Sequence, residues 1–152
     1  MVIYIGADHR GFNLKETLKE FLNGSGYTVT DIGNSQLDPN DDYPDIAKTL
    51  AERISADRIN GMGILICGSG AGMSMVANRF FGVRAATSFS PDHAMALKTE
   101  DDVNVFCIPA DFVKPEDAKR MVSVWLQTPF SGEERYKRRI EKIREIDNSR
   151  NQ

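Results

Sequence analysis

A cysteine followed by three alternating glycines is the feature of this sequence best suited to chemistry. It lies in the stretch Ile64-Leu-Ile-Cys-Gly-Ser-Gly-Ala-Gly-Met-Ser74, where an apolar run ends. Glycines let a backbone turn tightly and approach a ligand, and amide groups at the start of a helix can bind an anion. Beside such donors the Cys67 thiol could act as a base or as a nucleophile. The alternative is a plain strand-to-helix turn that follows a small buried side chain.

The spacing of these glycines differs from that of three functional loops. A dinucleotide-binding fingerprint would need glycine at Met73, and a Walker loop would need a lysine after the glycines. A nucleophile elbow places its nucleophile at the centre of G-x-S-x-G, whereas Cys67 precedes the first glycine. Two interpretations remain, an anion-binding turn next to a thiol and a plain strand-to-helix turn.

Other residues that could bind a ligand or take part in a reaction lie near the two ends of the chain. Asp8 and His9 follow the first apolar run, either as a turn pair or as ligand-binding groups. Arg135 and Arg139 share one helix face, where they either pair with glutamates in solvent or clamp a phosphate with their planar guanidinium groups. With only His9 and His93 as histidines and no compact cluster of acids around them, the sequence predicts no metal site.

Apolar runs of strand length alternate with helical patterns along the chain. Strands are predicted at 2–6, 27–33, 63–67, 83–87 and 104–109. Helices are predicted at 12–22, about 44–59, 71–81, 90–100, 114–127 and about 131–147, before a frayed tail at 148–152. This alternation implies parallel βαβ units with right-handed crossovers. We therefore predict one α/β domain over residues 1–152, a three-layer Rossmann-like sandwich with a five-stranded parallel sheet.

Composition narrows the class of protein. The chain has 152 residues, of which 41% are hydrophobic and 27% charged, the balance of an ordinary globular protein. Its net charge of −3 argues against a nucleic-acid partner, and no apolar stretch approaches the roughly 20 residues of a membrane span. Cys67 and Cys107 both follow apolar runs, and no signal peptide precedes the first strand. We therefore predict a reduced, cytoplasmic setting.

The predicted fold points to the loops that follow its strands, because ligands of such sandwiches bind beyond the carboxyl ends of the strands. These loops carry Asp8 to Gly11 after the first strand, Cys67 to Gly72 after the third, and Asp111 after the fifth. So many polar groups at strand ends predict a small-molecule site. Cys107, inside its apolar run, is predicted to be a packing residue.

Four segments together resemble a known family, the type B ribose-5-phosphate isomerases and the related galactose-6-phosphate isomerase subunits. The segments are "GADHRGFNLK" (6–15), "DYPDIA" (42–47), "GILICGSGAGMSMVANRFFGVRAA" (63–86) and "TPFSGEERYKRRIEKI" (128–143). The resemblance implies interconversion of an aldose phosphate and a ketose phosphate through a cis-enediol, without metal or cofactor. It also implies a homodimer or a dimer of dimers whose active sites are shared between subunits.

The resemblance assigns a role to each candidate residue. Cys67 is the base that moves a proton between C2 and C1, and the Ser69 hydroxyl and the loop amides stabilise the enediolate. Asp8, Tyr43, Asp101 and Asn104 belong to the sugar-binding part. The remaining assignments are the cradle residues Gly68, Gly70, Ala71 and Gly72, and the phosphate-binding residues His9, Arg135 and Arg139.

Three positions depart from the family pattern. Glu100 replaces the histidine that opens the furanose ring, Asp101 replaces a sugar-binding asparagine, and Asp111 replaces an arginine that can contact phosphate. Either Glu100 takes over as the acid/base of ring opening, or the substrate is another sugar phosphate. A tetrose 4-phosphate, for example, has no free hydroxyl with which to close a furanose ring. A third reading is a homologue that binds sugar phosphate with impaired catalysis.

Overall fold

A computed structural model describes residues 1–56 and 61–150, with Arg150 described by its backbone alone. Within these residues the strands are β1 (Val2–Ala7), β2 (Thr28–Asp31), β3 (Gly61–Cys67), β4 (Ala85–Thr87) and β5 (Val105–Pro109). The helices are α1 (Phe12–Gly24), α2 (Tyr43–Ala56), α3 (Ala71–Ala77), α4 (Pro91–Asp101), α5 (Pro115–Gln127) and α6 (Glu134–Arg150). None of the described helices has the length and apolar character needed to cross a lipid bilayer.

The strands form one parallel sheet in the order β2-β1-β3-β5-β4. Strand β3 lies at its centre, paired with β1 from Val2↔Gly61 to Ala7↔Ile66 and with β5 from Gly63↔Val105 to Cys67↔Pro109. The order reverses between β1 and β3, because the chain moves to one side after β1 and to the other after β3. Such a switch point opens a crevice at the carboxyl ends of the strands.

Side chains of the central strands alternate between two cores. On β3, Ile64 and Ile66 face a core built with α1 and α5, which contains Trp125 stacked on Phe106 at 5.2 Å. Leu65 and Cys67 face the other core, built with α2 and α3. A strand buried on both faces is expected to be apolar throughout, as β3 is. The predicted three-layer α/β sandwich with five parallel strands is confirmed.

Most predicted helix ends lie within three residues of the observed ones, the end of the third helix differs more, and one end cannot be compared. The helix predicted at 71–81 ends at Ala77, because the next side chain, Asn78, exchanges hydrogen bonds of 2.8 Å with the backbone N–H and carbonyl of Ala85. The prediction of a frayed tail from residue 148 is wrong for residues 148–150, which continue α6. The predicted end of α2 near Ile59 and the last two residues of the tail lie outside the described residues.

The sheet has two edges of different composition. The carboxyl edge is formed by the loops that follow β1, β3 and β5. The amino edge is formed by the turn before β4 and by the end of α4. Just after α4, the Asn104 carbonyl accepts a hydrogen bond from Gly63 N–H of β3 at 2.9 Å. Helix α6 lies along this amino edge. Before it begins, Ser131 N–H donates to Thr99, and near its end Asp147 accepts from Gly82 N–H.

Candidate active site

Cys67 is the last residue of β3 and is buried, with 4% of its surface exposed. The backbone N–H of Gly70 donates to its sulfur at 3.2 Å, so the chain turns back over the thiol. In the part of the chain that the structure describes, the amides of Gly68 and Ser69 have no protein acceptor. A thiol and unpaired amide donors therefore lie within one short turn.

Glycine is required in this turn by conformation and by space. Gly70 has φ +73°, and a Cβ there would lie 2.7 Å from the Thr87 side chain. A Cβ on Gly72 would lie 2.6 Å from the ring of Tyr43, which packs directly on the loop. Helix α3 has 7 residues, too short to contribute much of a macrodipole, so anion binding here depends on the loop amides themselves.

The two cysteines have different surroundings, since Cys67 lies beside the glycine turn and Cys107 lies inside the core. Cys107 lies on β5 in the same core and is fully buried. Burial, and to a smaller extent the nearby Cys67, raises the pKa of the Cys107 thiol above its ordinary value. Cys107 therefore remains a neutral packing residue at neutral pH, as the sequence predicted.

Asp8 is buried at the end of β1 and fixes the loop that follows. Its Oδ1 accepts hydrogen bonds from the backbone N–H groups of Arg10 at 3.0 Å and Gly11 at 3.1 Å. Its own N–H donates to Ile66 of β3, which ties this loop to the strand that carries Cys67. The turn-forming reading of Asp8 is therefore correct, and it brings the carboxyl group to the switch point.

His9 has a partner that the sequence did not reveal. Asp41 Oδ1 accepts from the His9 backbone N–H at 2.9 Å and lies 2.7 Å from Nδ1 of its ring. The hydrogen bond with Asp41, opposed in part by desolvation and assisted by the charge of Asp8, raises the pKa of His9 above its ordinary 6.5. Because Nδ1 faces Asp41, a proton there leaves Nε2–H directed elsewhere, as an anion-binding imidazolium requires.

The segment that carries Asp41 is attached to α1 by a buried lysine. Lys15, with a side chain 0% exposed, donates to Asp31 at 2.8 Å and to the carbonyl of Asn34 at 2.7 Å. The Asn34 side chain in turn donates to Asp41 Oδ2 at 3.0 Å. A continuous polar chain therefore runs from Lys15 to His9. No periodic pattern marks this connection in the sequence, because it joins a helix to an irregular loop.

A second contact that the sequence did not reveal joins the loops after β1 and β5. The Arg10 guanidinium forms an ion pair with Asp111 across the start of the glycine turn. Asp111, which the sequence marked as a strand-end polar group and as a departure from the family pattern, is thus neutralised by a residue from the loop after β1.

The predicted residues Glu100, Asp101 and Asn104 lie at the other edge of the sheet. Glu100 and Asp101 are exposed at the end of α4. The Asn104 amide accepts from Arg84 N–H at 2.8 Å and donates to the Gly82 carbonyl at 2.9 Å, so it stabilises the turn before β4. The neighbouring Asp102 is neutralised by Arg84 and Lys98.

Arg135 and Arg139 lie on the face of α6 that the sequence predicted. Both guanidinium groups lie over the ring of the buried Tyr136, at 4.6 and 5.7 Å from its centre. Arg135 also pairs with Glu133 at 2.9 Å. Both side chains are exposed, so an anion could reach them from solvent.

One chain therefore divides the predicted site into two groups. Asp8, His9, Tyr43, Cys67 and the glycine turn lie at the carboxyl edge. Glu100, Asp101, Asn104, Arg135 and Arg139 lie at or beside the amino edge. The 7 residues of β3 span roughly 20 Å between these edges, a distance that side chains of one chain do not bridge.

A cavity of about 620 Å³ lies at the amino edge, lined among others by Arg84, Asp102 and Asn104. Cys67 does not line this cavity, so the cavity is not the site of the candidate base. Within residues 1–56 and 61–150, no three His, Cys, Asp or Glu side chains are grouped as metal ligands would be.

Comparison with known proteins gives a consistent result over nearly the whole chain. The family model described as Ribose/Galactose Isomerase matches residues 3–143. A probable ribose-5-phosphate isomerase B from Mycoplasma pneumoniae is 41% identical over 141 residues, which are 93% of this chain and 91% of that protein. D-erythrulose-4-phosphate isomerase from Pectobacterium atrosepticum is 38% identical over 130 residues, 86% of this chain and 85% of that protein.

A solved structure agrees with the sequence comparison. The crystal structure of ribose-5-phosphate isomerase B from Mycoplasma genitalium, with bound ribulose-5-phosphate, has a TM-score of 0.94 at 37% identity, covering 97% of this chain and 96% of that one. Fold and sequence thus define an α/β enzyme of the isomerase class. The chain belongs to the Ribose/Galactose Isomerase family, which confirms the resemblance seen in its motifs.

Replacing Asp41 by Asn should lower the pKa of His9, because the hydrogen bond with Asp41 is the main cause of its raised value. The wild-type pair stabilises the folded chain below pH 6.5, and this contribution is lost as the pH rises through the raised pKa. In Asp41→Asn this contribution should be smaller and should end at a lower pH, because the pKa of His9 falls back toward its ordinary value. An NMR titration of the imidazole resonances measures the shift directly, with His93 as an internal reference.

The matched control is Asp38→Asn, since Asp38 lies in the same loop and accepts from the Asn40 N–H instead. It should leave the His9 titration where it is. Equal titration midpoints in wild type and Asp41→Asn would contradict the assigned partner.

Proposed function

We propose that this chain interconverts ribose 5-phosphate and ribulose 5-phosphate, with Cys67 as the proton-transferring base. The observation that carries the proposal is the placement of the Cys67 thiol beneath a turn whose Gly68 and Ser69 amides have no protein acceptor among the described residues. Family membership supports the reaction class. The name of the relative from Mycoplasma pneumoniae and the ligand in the Mycoplasma genitalium structure support the choice of pentose phosphate.

The proposed reaction begins with the open-chain aldose. The Cys67 thiolate removes the proton from C2, and the electron pair of that C–H bond forms the C1–C2 double bond. The electrons of the C1 carbonyl move to O1, which gives an enediolate. A proton passes from O2 to O1, and Cys67 returns its proton to C1, so that the carbonyl now lies at C2.

A thiolate can remove the C2 proton only if the enediolate that forms is stabilised. A proton next to a carbonyl is far less acidic than a thiol, so the oxyanion must be stabilised by donors placed in advance. The amides of Gly68 and Ser69 and the Ser69 hydroxyl are the proposed donors, because the Gly70 N–H already donates to the Cys67 sulfur. Asp8 and Tyr43 would hold the hydroxyl groups of the sugar on either side of this turn.

The phosphate requires groups from both edges of the sheet. His9 supplies one cation at the carboxyl edge, where its raised pKa favours the imidazolium that a dianion needs. Arg135 and Arg139 supply two more from α6 at the amino edge. Since one chain keeps these edges apart, we propose that two copies combine, each carboxyl edge facing the amino edge of its partner. The proposed unit is a homodimer, alone or within a dimer of dimers.

Cys67→Ala should abolish exchange of the C1 and C2 hydrogens of ribose 5-phosphate in deuterated water. Loss of a general base costs about 100- to 10,000-fold in rate. The exchange is followed by proton NMR of the sugar, and Cys107→Ala is the control because that cysteine is a packing residue. Exchange at the wild-type rate in Cys67→Ala would remove Cys67 from the mechanism.

A second candidate function is the isomerisation of a tetrose phosphate, erythrose 4-phosphate to erythrulose 4-phosphate. Two observations favour it. Glu100 stands where the family has its ring-opening histidine, and a tetrose 4-phosphate cannot form a furanose. One relative at 38% identity is named D-erythrulose-4-phosphate isomerase. The same Cys67 chemistry applies to both substrates.

Glu100→His should raise kcat/KM for ribose 5-phosphate by about 10-fold or more, because an imidazole can donate and accept a proton near neutral pH. Turnover of erythrose 4-phosphate should not change, since it needs no ring opening. Glu100→Gln is the control for simple loss of charge. Equal effects on pentose and tetrose would contradict the ring-opening role, and sugar-phosphate binding without turnover of either would identify a non-catalytic binding protein.

A further inference from the structure

The ion pair between Arg10 and Asp111 encloses the first residue of the glycine turn. An ideal Cβ on Gly68 would lie 2.2 Å from Cζ and 2.4 Å from Nε of Arg10, so the guanidinium packs against the Gly68 backbone. On the other side, Asp111 N–H donates to the Gly68 carbonyl at 3.1 Å. Only glycine leaves room for this contact. The Arg10 guanidinium therefore contacts Gly68 at its Cα, and the backbone N–H of Asp111 holds its carbonyl oxygen.

Both partners are themselves fixed to strand ends. The backbone N–H of Arg10 donates to the buried carboxylate of Asp8 at 3.0 Å. Next to Asp111, Ala110 N–H donates to the Cys67 carbonyl at 2.9 Å. Backbone contacts thus join the loops after β1 and β5 to β3 at the level of Cys67, and the ion pair closes the connection above Gly68.

The exposure of the pair indicates what it does. The side chains are 54% and 37% exposed, and ion pairs so open to solvent add little to folding stability. Their effect is instead local, because they contact Gly68, whose carbonyl belongs to the Gly68–Ser69 peptide, the second peptide after Cys67. The direction of the Ser69 N–H depends on the orientation of that peptide.

From this geometry we propose that Arg10 and Asp111 are positioning residues, which orient the Gly68–Ser69 peptide so that its N–H points to the developing oxyanion. The inference deepens the proposed isomerase function and rests on it for its kinetic consequences. Arg10 acts through the backbone of Gly68 rather than by contact with substrate. A competing role is direct binding of the phosphate by Arg10, with Asp111 as its resting partner.

The two roles predict different kinetics for Arg10→Met and Asp111→Asn. Positioning predicts that each variant lowers kcat by roughly 10-fold, less than the ~100-fold typical for loss of a whole oxyanion donor, with KM within about 2-fold of wild type. The double variant should be no worse than either single one, because both remove the same contact. Direct phosphate binding instead predicts a raised KM in Arg10→Met and a lowered KM in Asp111→Asn, which would overturn the proposal.

A second measurement tests the positioning role without turnover. Amide hydrogen exchange of the segment 67–74, followed by mass spectrometry, should become faster in both variants. It should be unchanged in Arg120→Met, which breaks a still more exposed Arg–Asp pair on α5. Unchanged exchange in Arg10→Met and Asp111→Asn would overturn the inference. Absence of sugar-phosphate turnover in the wild type would instead overturn the proposed function, and the exchange result would still decide the positioning role.

Discussion

Parallel pairing of β3 between β1 and β5 is the constraint on which the rest of the molecule depends. It aligns three strand ends so that Asp8, Cys67 and Asp111 follow their strands at the same edge. The backbone bonds from Asp8 to Ile66 and from Ala110 to Cys67 extend the ladder past the strands into the loops. Cys67, the proposed base, thus lies between two loops that are tied to its strand by backbone hydrogen bonds.

Because the strands are parallel, the helices that connect them end at one or the other of these two edges of the sheet. Because α4 follows β4, it runs back across the sheet and ends near the start of β5, far from Cys67 along the strand direction. Helix α6 is attached to that end through Ser131 and Thr99 and to the turn before β4 through Asp147. Under the proposed function, Glu100 and the two α6 arginines would therefore act on a substrate at Cys67 from a second copy of the chain.

Three acids near the predicted pocket are paired with cationic side chains. The sequence shows an excess of acids around the predicted pocket, which suggests repulsion of a phosphate. In the structure Asp111 is paired with Arg10, Asp102 with Arg84 and Lys98, and Asp41 lies against His9. These pairings neutralise the acids, so the acids no longer repel a phosphate, and they fix the side chains in place. Asp41 also raises the pKa of His9.

Much of this organisation could be predicted from the sequence, and the missing part has a physical explanation. The alternation of apolar runs and helical patterns depends on local periodicity, so it predicted the strands and the layers, which are confirmed. The partner of His9 is 32 residues away in an irregular loop, and the partner of Arg10 is 101 residues away. No periodicity connects such residues. The separation of Glu100 from Cys67 likewise follows from the direction of α4, which a list of motifs does not contain.

The shared site is the central claim, and subunit complementation tests it most directly. Chains carrying Cys67→Ala and chains carrying both Arg135→Met and Arg139→Met are coexpressed with different tags and purified through both. If each site combines the carboxyl edge of one copy with the amino edge of the other, the mixed dimer contains one intact site and should show roughly half of the wild-type isomerase activity. Activity no higher than that of the two variants measured separately would contradict a site shared between copies.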